Sequence, residues 1–251
     1  AIVAYRTAYM KRHYPQQYMA ALLTSVLESS TKVAEYIAEC RELGIKLLPP
    51  DVNESDANFT VAGENIRFGL VAIKGIGWGA IEELVAERHE NGLFTSFEDF
   101  CKRMSGKELN RRAVENLIRA GAFDGMGYKR KALLQIAGAV IDSISQAARD
   151  NIAGQYDLFG DFEAQSEASP QTIPIPDVEE FSARDKMMME KEVTGLYLTG
   201  HPMDEYRDAV RKVGAVPIGA ILGDFAADDG PQRFSDNQYV TVAGVISSMR
   251  T

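Results

Sequence analysis

The chain is poor in the residues that usually announce catalysis or cross-linking. Its only cysteines, Cys40 and Cys101, stand far apart, with no Cys-x-x-Cys partner and no histidine near by. That spacing excludes a disulfide framework and a zinc site, and leaves two buried reduced thiols as the expectation. Apolar runs are only a few residues long, so no segment is expected to span a membrane. The basic, mixed N-terminus lacks the apolar centre of a signal peptide, which predicts a cytoplasmic location. There is no His-Glu-x-x-His, no Gly-x-x-x-x-Gly-Lys-Ser/Thr and no Ser-His-Asp order. No Asp-x-Asp occurs either, and the carboxylates are scattered over helix faces or gathered in one acidic stretch. Two-metal phosphoryl transfer needs clustered carboxylates in a rigid cleft, so no catalysis, metal site or cofactor is expected of this chain alone.

What the chain does have is the ordinary apolar and charged content of a folding protein and an uneven distribution of charge. The net charge is −9 over 251 residues. Residues 61–140 nevertheless carry twelve Lys or Arg against ten Asp or Glu, so the excess of acid lies elsewhere. Between Arg149 and Arg184 there is no Lys or Arg at all, while eight acids share the stretch with Ser, Gln and three prolines. Such a composition predicts a flexible acidic linker that does not pack as a core.

Helical periodicity predicts helices over Ala4–Tyr14, about Gln16–Ser29, and from near Thr31 to Gly44 with Val33, Ile37 and Cys40 on one face. Pro49-Pro50 breaks the chain, and weak alternation over Asn58–Phe68 around Ala62-Gly63-Glu64-Asn65 predicts a small β-hairpin. A helix after Gly79 presents Ile81, Leu84 and Val85 and ends near His89. Thr95-Ser96-Phe97-Glu98 is a capping-box pattern for a short helix to Met104. Asn110 caps another with Ala113, Val114, Leu117 and Ile118 inward, closed by Gly121. A longer helix runs from Lys129 towards Arg149. Helical signals return at about Ser182–Glu192 and after His201-Pro202, with Tyr206, Val210 and Val213 on one side. Gln238–Met249 reads as a strand whose pairing partners are expected to lie outside this chain.

The segment Ile73-Lys74-Gly75-Ile76-Gly77, continuing to Ala80, nearly fits a dinucleotide-binding fingerprint. That fold requires a second strand ending in an acid about twenty residues on. The candidate region, Thr95-Glu98-Asp99, carries a capping box and helical spacing, so the fingerprint fails there. Two readings remain, a purely structural turn and a hairpin that grips a nucleic-acid backbone. In the second, Ile73 and Ile76 anchor the turn, while Gly75 and Gly77 let backbone N–H groups approach phosphate. The following helix N-terminus and Lys74 add positive charge. Glu82 and Glu83 would repel a phosphate unless they point away. Lys107, Arg111 and Arg112 cluster at one helix start, and Lys129, Arg130 and Lys131 at the next. Basic residues there oppose the macrodipole, so they need another reason to be there; phosphate binding is one and a solvated charged face is the other. Within the acidic stretch, Gln155-Tyr156-Asp157-Leu158-Phe159 places large apolar residues in a polar segment. Leu158 and Phe159 are candidate anchors for a partner's pockets, with Gln155 fixing orientation, or they pack back on the chain's own helices.

Taken together these residues resemble the C-family replicative DNA polymerases, the alpha subunits of bacterial DNA polymerase III. The resemblance rests on Tyr5-Arg6-Thr7 through His13-Tyr14-Pro15, Leu48-Pro49-Pro50-Asp51-Val52-Asn53, Ala72-Ile73-Lys74-Gly75-Ile76-Gly77, Leu109-Asn110-Arg111-Arg112, Ala120-Gly121-Ala122-Phe123-Asp124 and Thr194-Gly195-Leu196-Tyr197-Leu198-Thr199-Gly200-His201-Pro202. It implies a mostly α fold of successive helices with tandem helix-hairpin-helix elements, a small β-hairpin and a truncated C-terminal OB-type strand. It also implies the end of a fingers domain at 1–60, a duplex-DNA-binding helix-hairpin-helix region at 61–149, and an acidic linker with an internal clamp-binding motif at 150–183. A helical connector at 184–236 and the first strand of an OB domain at 237–251 complete it. The implied partners are duplex DNA, the sliding clamp (the beta subunit) and other replicative holoenzyme subunits. The family's palm, with its paired acids and Mg2+, has no counterpart in this sequence. A helical adaptor that binds only proteins, and a dinucleotide enzyme, are the competing readings.

Overall fold

A computed structural model of the chain describes residues 2–27, 29–156, 173–227 and 230–246. The described residues are mostly helical and include one small sheet. They form two compact units, residues 1–199 and 200–251. No helix among the described residues is long and apolar enough to cross a membrane.

In the first unit the helices are α1 (Ile2–His13), α2 (Pro15–Ser25), α3 (Ser30–Glu42), α4 (Trp78–Asn91), α5 (Phe97–Arg103), α6 (Arg111–Ala120), α7 (Arg130–Tyr156) and α8 (Ala183–Thr194). Pro15 starts α2 because its missing N–H is unneeded in a first turn. Ser29, Asn110 and Ser182 cap α3, α6 and α8, each side chain accepting the N–H three residues on. The capping box at α5 sits one residue later than its pattern suggested. Ser96 is the cap, accepting from Asp99 N–H, and the Asp99 carboxylate returns to the N–H of Thr95 at 2.9 Å. Ser96 wins because Asp99 then occupies the third helical position, where a carboxylate also meets the positive end of the helix dipole.

The expected hairpin forms as β2 (Thr60–Ala62) and β3 (Asn65–Arg67), antiparallel. A third strand, β1 (Leu47–Leu48), pairs with β3 in parallel, giving the order β1-β3-β2. Two residues ahead of Pro49-Pro50 are too few to show alternation, so β1 was invisible to periodicity. Helix α2 packs on β2 and β3, while α6 packs on α7 and α8 and α7 also touches α5. One contiguous core results, from Met19 to Val193. Its centre is aromatic. Phe94, Phe97, Phe100 and Phe123 meet edge to face at centroid distances of 5.0–5.2 Å, the arrangement favoured by ring quadrupoles. Cys40 and Cys101 are both free and buried in it, and burial pushes their thiols up to about 11 and about 12.

Helix α7 continues seven residues beyond the expected Arg149, so the first part of the acidic stretch is helical. Residues 173–182 also depart from expectation. They pack, with Ile173 against the core and Asp177 and Glu180 at the start of α7. The carboxylates find N–H groups and a lysine there, which composition alone does not reveal.

The second unit holds α9 (Arg207–Lys212) and α10 (Ile218–Phe225). After His201-Pro202 the chain makes a turn and a short 3-10 segment, Asp204–Tyr206, before α9. The Asp204 carboxylate holds that turn by accepting the His201 N–H at 2.8 Å. Helix α10 was not expected from the sequence. Of the expected strand Gln238–Met249, residues 238–246 have no strand pairing. A strand needs a neighbour to satisfy its backbone, and the contact seen is one bond from Val216 N–H to the Thr241 carbonyl.

Beneath the first unit's helical layer lies a buried ion pair. Arg130 is 1% and Glu190 0% exposed. The guanidinium donates to both Asp124 oxygens, to Glu190 Oε1 at 3.0 Å and to the Arg119 carbonyl. Glu190 also accepts the N–H groups of Leu198 and Thr199. Glu190→Gln should therefore lower unfolding stability, by at most the ~3–5 kcal/mol that losing one partner of a buried ion pair costs, because Arg130 keeps the Asp124 carboxylate. Urea titration of the variant against the parent checks this, and a shift under ~1 kcal/mol would contradict it.

Candidate nucleic-acid interface

The glycine segment is held from below and open above. Ile73 is buried and Ile76 packs on the core, as its sequence suggested. Between them Lys74 is fastened at three points. Its N–H donates to the Val193 carbonyl at 2.8 Å, its Nζ donates to the Glu192 carbonyl at 3.3 Å, and its own carbonyl accepts Asn116 Nδ2 at 2.7 Å. The hairpin is thus tied both to α6 and to the C-terminal end of α8. Gly75 turns the chain at φ +77, a conformation that side-chain-bearing residues rarely adopt. Gly77 then caps α4 with no side chain to occupy its first turn. The N–H groups of Gly75 and Gly77 have no backbone acceptor among the described residues, and those of Trp78 and Gly79 stand in the first turn of α4, where no preceding helical carbonyl is in reach. Such N–H groups at a helix start are donors that a phosphate can use.

The acids near this start are disposed differently from the simple sequence expectation. Glu83 is turned aside, its carboxylate accepting the Glu108 N–H at 2.9 Å. Glu82 is exposed. The carboxylate that lies against the first turn of α4 belongs to Glu108, close enough to Gly79 that a Cβ there would collide with it.

Beside the hairpin opens a cavity of about 640 Å³ lined by Lys74, Arg111, Arg112, Glu115, Asn116, Arg119, Glu192 and Val193. Four cations face two carboxylates there, so the cavity attracts anions. The cations are not equivalent. Arg111 pairs with Glu115 at 3.0 Å and lies across Gly138 of α7, where a Cβ would strike its guanidinium. Arg119 reaches Glu192 only at 3.9 Å. Arg112 is exposed and lies 4.0 Å from where a Gly75 Cβ would stand. The structure therefore brings Lys74, Gly75, Arg111 and Arg112 together and adds Arg119 and Asn116. Those two share a helical face with Arg112 at steps of four and seven, a signal present in the sequence. Glu192 arrives from α8 and had none.

Other sequence-selected cations stand elsewhere. Lys107 is consumed in an ion cluster with Glu87, which also takes Arg103 Nε at 3.0 Å. Arg130 is a correction: its guanidinium is buried on Asp124 and Glu190 and offers nothing to a ligand. Its basic character at a helix start is explained by those internal carboxylates rather than by phosphate. Lys129 pairs with exposed Asp177 at 2.8 Å, and Lys131 lies over the Phe181 ring. The start of α7 is itself closed, because the Glu180 carboxylate accepts the N–H groups of Arg130 at 2.9 Å and Lys131 at 3.2 Å. Burial opposes that charge, but these N–H groups and that of Phe181 hold the Glu180 carboxyl below its ordinary value.

Of the apolar motif, Gln155 falls in the last turn of α7, whereas Leu158 and Phe159 lie outside the described residues. Among the described residues no group of three or more His, Cys, Asp or Glu is arranged to hold a metal ion.

A family model described as a helix-hairpin-helix motif matches residues 44–133, the stretch that contains the glycine segment, α4, α5, α6 and the start of α7. The whole chain also aligns with DNA polymerase III subunit alpha from Mycobacterium tuberculosis at 38% identity, covering 99% of this chain and 20% of that protein. The subunits from Saccharopolyspora erythraea and Deinococcus radiodurans are each 36% identical, over 100% and 99% of this chain and 21% and 18% of their own lengths. The chain is related to one segment of the DNA polymerase III alpha subunits. It spans about a fifth of the length of these curated relatives. The expected resemblance and the mostly α, helix-hairpin-helix fold class both stand.

The Glu87 cluster gives this region a defined acid limit. Lys107, Arg103 and Asn91 hold the Glu87 carboxyl down at about 2, from an ordinary value of 4.5. A depressed folded value means that its contribution is complete above about pH 4.5 and is lost as pH falls towards 2. The stability difference between the parent and Glu87→Gln should accordingly shrink across that window. Denaturation at a series of pH values tests it, and a difference constant from neutrality to pH 2 would refute the assignment.

Proposed function

We propose that this chain is a non-catalytic segment of a replicative DNA polymerase alpha subunit, which grips duplex DNA without sequence preference and tethers the enzyme to its sliding clamp. The observation that carries the DNA grip is the glycine turn running into the N-terminus of α4, with the Gly75 and Gly77 N–H groups and the first turn of that helix as donors. It lies beside a cation-lined cavity, within the helix-hairpin-helix match. Backbone donors and flexible cations reach phosphates and read no base edges, so they hold any sequence and weaken with salt. Lys74 and Arg112 are the principal cations of this grip, with Arg111 and Arg119 at its border. Lys107 and Lys129 are spent on Glu87 and Asp177 and add little to it, and Lys131 lies over the Phe181 ring away from the cavity. The sequence offers no paired palm acids to hold Mg2+, so nucleotidyl transfer belongs to other parts of the longer protein, a DNA-directed DNA polymerase.

Tethering follows from the Gln155-Tyr156-Asp157-Leu158-Phe159 motif, whose apolar anchors suit pockets on the clamp, the beta subunit. Two weak attachments on one body raise each other's effective concentration, which is how modest contacts sustain processive synthesis in the cytoplasm. Other holoenzyme subunits are further partners on this reading.

The double substitution Lys74→Glu and Arg112→Glu should weaken duplex binding and reduce the slope of log affinity against log salt by about two. A titration of this chain against labelled duplex over a salt series measures it. Equal binding by parent and variant in low salt would sink the DNA grip, and a parent that ignores duplex at any salt would favour a protein-only adaptor. Replacing Leu158 and Phe159 with alanine should abolish clamp binding while leaving duplex binding intact. Surface-immobilised clamp gives the readout, and retained binding by the variant would reject the motif.

A further inference from the structure

Trp78 is the only tryptophan of the chain and the first residue of α4, directly after Gly77. It is 48% exposed. Its ring meets no aromatic or cationic partner among the described residues, although the core a short distance below is rich in rings. An indole left half in water keeps about half of its apolar surface unburied. Yet it is the side chain that suits a contact surface, large, rigid and ordered at small entropic cost. Its neighbours are the Gly75 and Gly77 N–H groups and the first turn of α4, and the backbone at Gly77 faces open space. A phosphate seated on those donors has a deoxyribose on either side, and the sugar's carbon face is the apolar surface nearest to the bound charge.

We infer that Trp78 lies against the deoxyribose next to the phosphate held by the hairpin, adding an apolar contact to the electrostatic grip. This rests on the DNA reading above and deepens it. Such a contact releases no counterions. It strengthens binding equally at every salt concentration, whereas Lys74 and Arg112 set the salt slope. It also reads no base, in keeping with a sequence-independent grip.

The chain itself supplies the probe, since its tryptophan emission comes from Trp78 alone. Adding duplex DNA to the 251-residue chain should alter that emission. In anisotropy titrations, Trp78→Ala should bind about five- to tenfold more weakly at each salt concentration, at the lower end of measured aromatic contributions, with the slope unchanged. Trp78→Phe should recover part of the loss, because a smaller ring still covers the sugar. An affinity for Trp78→Ala equal to the parent's overturns the inference whatever the emission does. A changed salt slope overturns it too, because the residue would then act through the cations. If the parent fails to bind duplex even in low salt, the DNA reading itself falls, an outcome distinct from a binding parent and an indifferent variant.

Discussion

The interaction on which the first unit depends is the buried pairing of Arg130 with Glu190. It draws together the start of α7, the end of α6 through the Arg119 carbonyl, the Asp124 turn, and α8. Gly121 makes the passage possible. It closes α6 in a left-handed conformation, and a Cβ there would collide with the Arg130 guanidinium. A charge taken out of water without a partner costs several kcal/mol, so these four pieces assemble together or not at all. The hairpin inherits its position from this arrangement. Lys74 hangs from the carbonyls of Glu192 and Val193, and α8 holds those carbonyls where Glu190 anchors it. A side chain that offers nothing to a ligand thereby fixes the backbone that does.

The same constraint sorts the chain's positive charge. Arg88 is buried on the carbonyls of Val52 and Ser55 and on Asp56. Arg103 and Lys107 are spent on Glu87, Arg130 on Glu190 and Asp124, and Lys129 on Asp177. Lys74 and Arg112, which pair with no carboxylate among the described residues, line one cavity together with the paired Arg111 and Arg119. An acidic protein can therefore present a local positive surface without a basic stretch of sequence. The acids are placed from a distance too, Glu180 filling the start of α7 and Glu108 lying against the first turn of α4 while Glu83 turns aside.

Much of the scaffold was legible because its determinants are local. Asn110 and Ser182 announced their helices, and Gly121 ended one, since capping and left-handed closure involve residues a few positions apart. The hairpin around Gly63 and the anchoring of Ile73 and Ile76 were read from pattern in the same way. The site was legible only in part. Lys74, Gly75, Arg111 and Arg112 come together, as their places at the glycine turn and at the start of α6 suggested. Arg130 looked identical in the sequence and is buried, because its partner Glu190 stands sixty residues away. Glu108 escaped notice for a similar reason: it reaches α4 from the loop before α6. Strand β1 and the docking of residues 173–182 needed partners that no local pattern names.

By itself the sequence determined where most of the helices begin, which of their faces turn inward, and where glycines permit a tight backbone turn. These follow from sterics, capping and hydrophobic periodicity within a few residues. It also carried the resemblance to the polymerase alpha subunits, through the order and spacing of its motifs. Which charges are free was decided only by the tertiary structure. A lysine or arginine is available to a ligand when no carboxylate reaches it, and the carboxylates that decide this arrive from distant elements. Packing sets those distances, and Coulombic pairing is steep enough over a few ångströms to turn adjacent, chemically similar residues into a buried strut and an open hand.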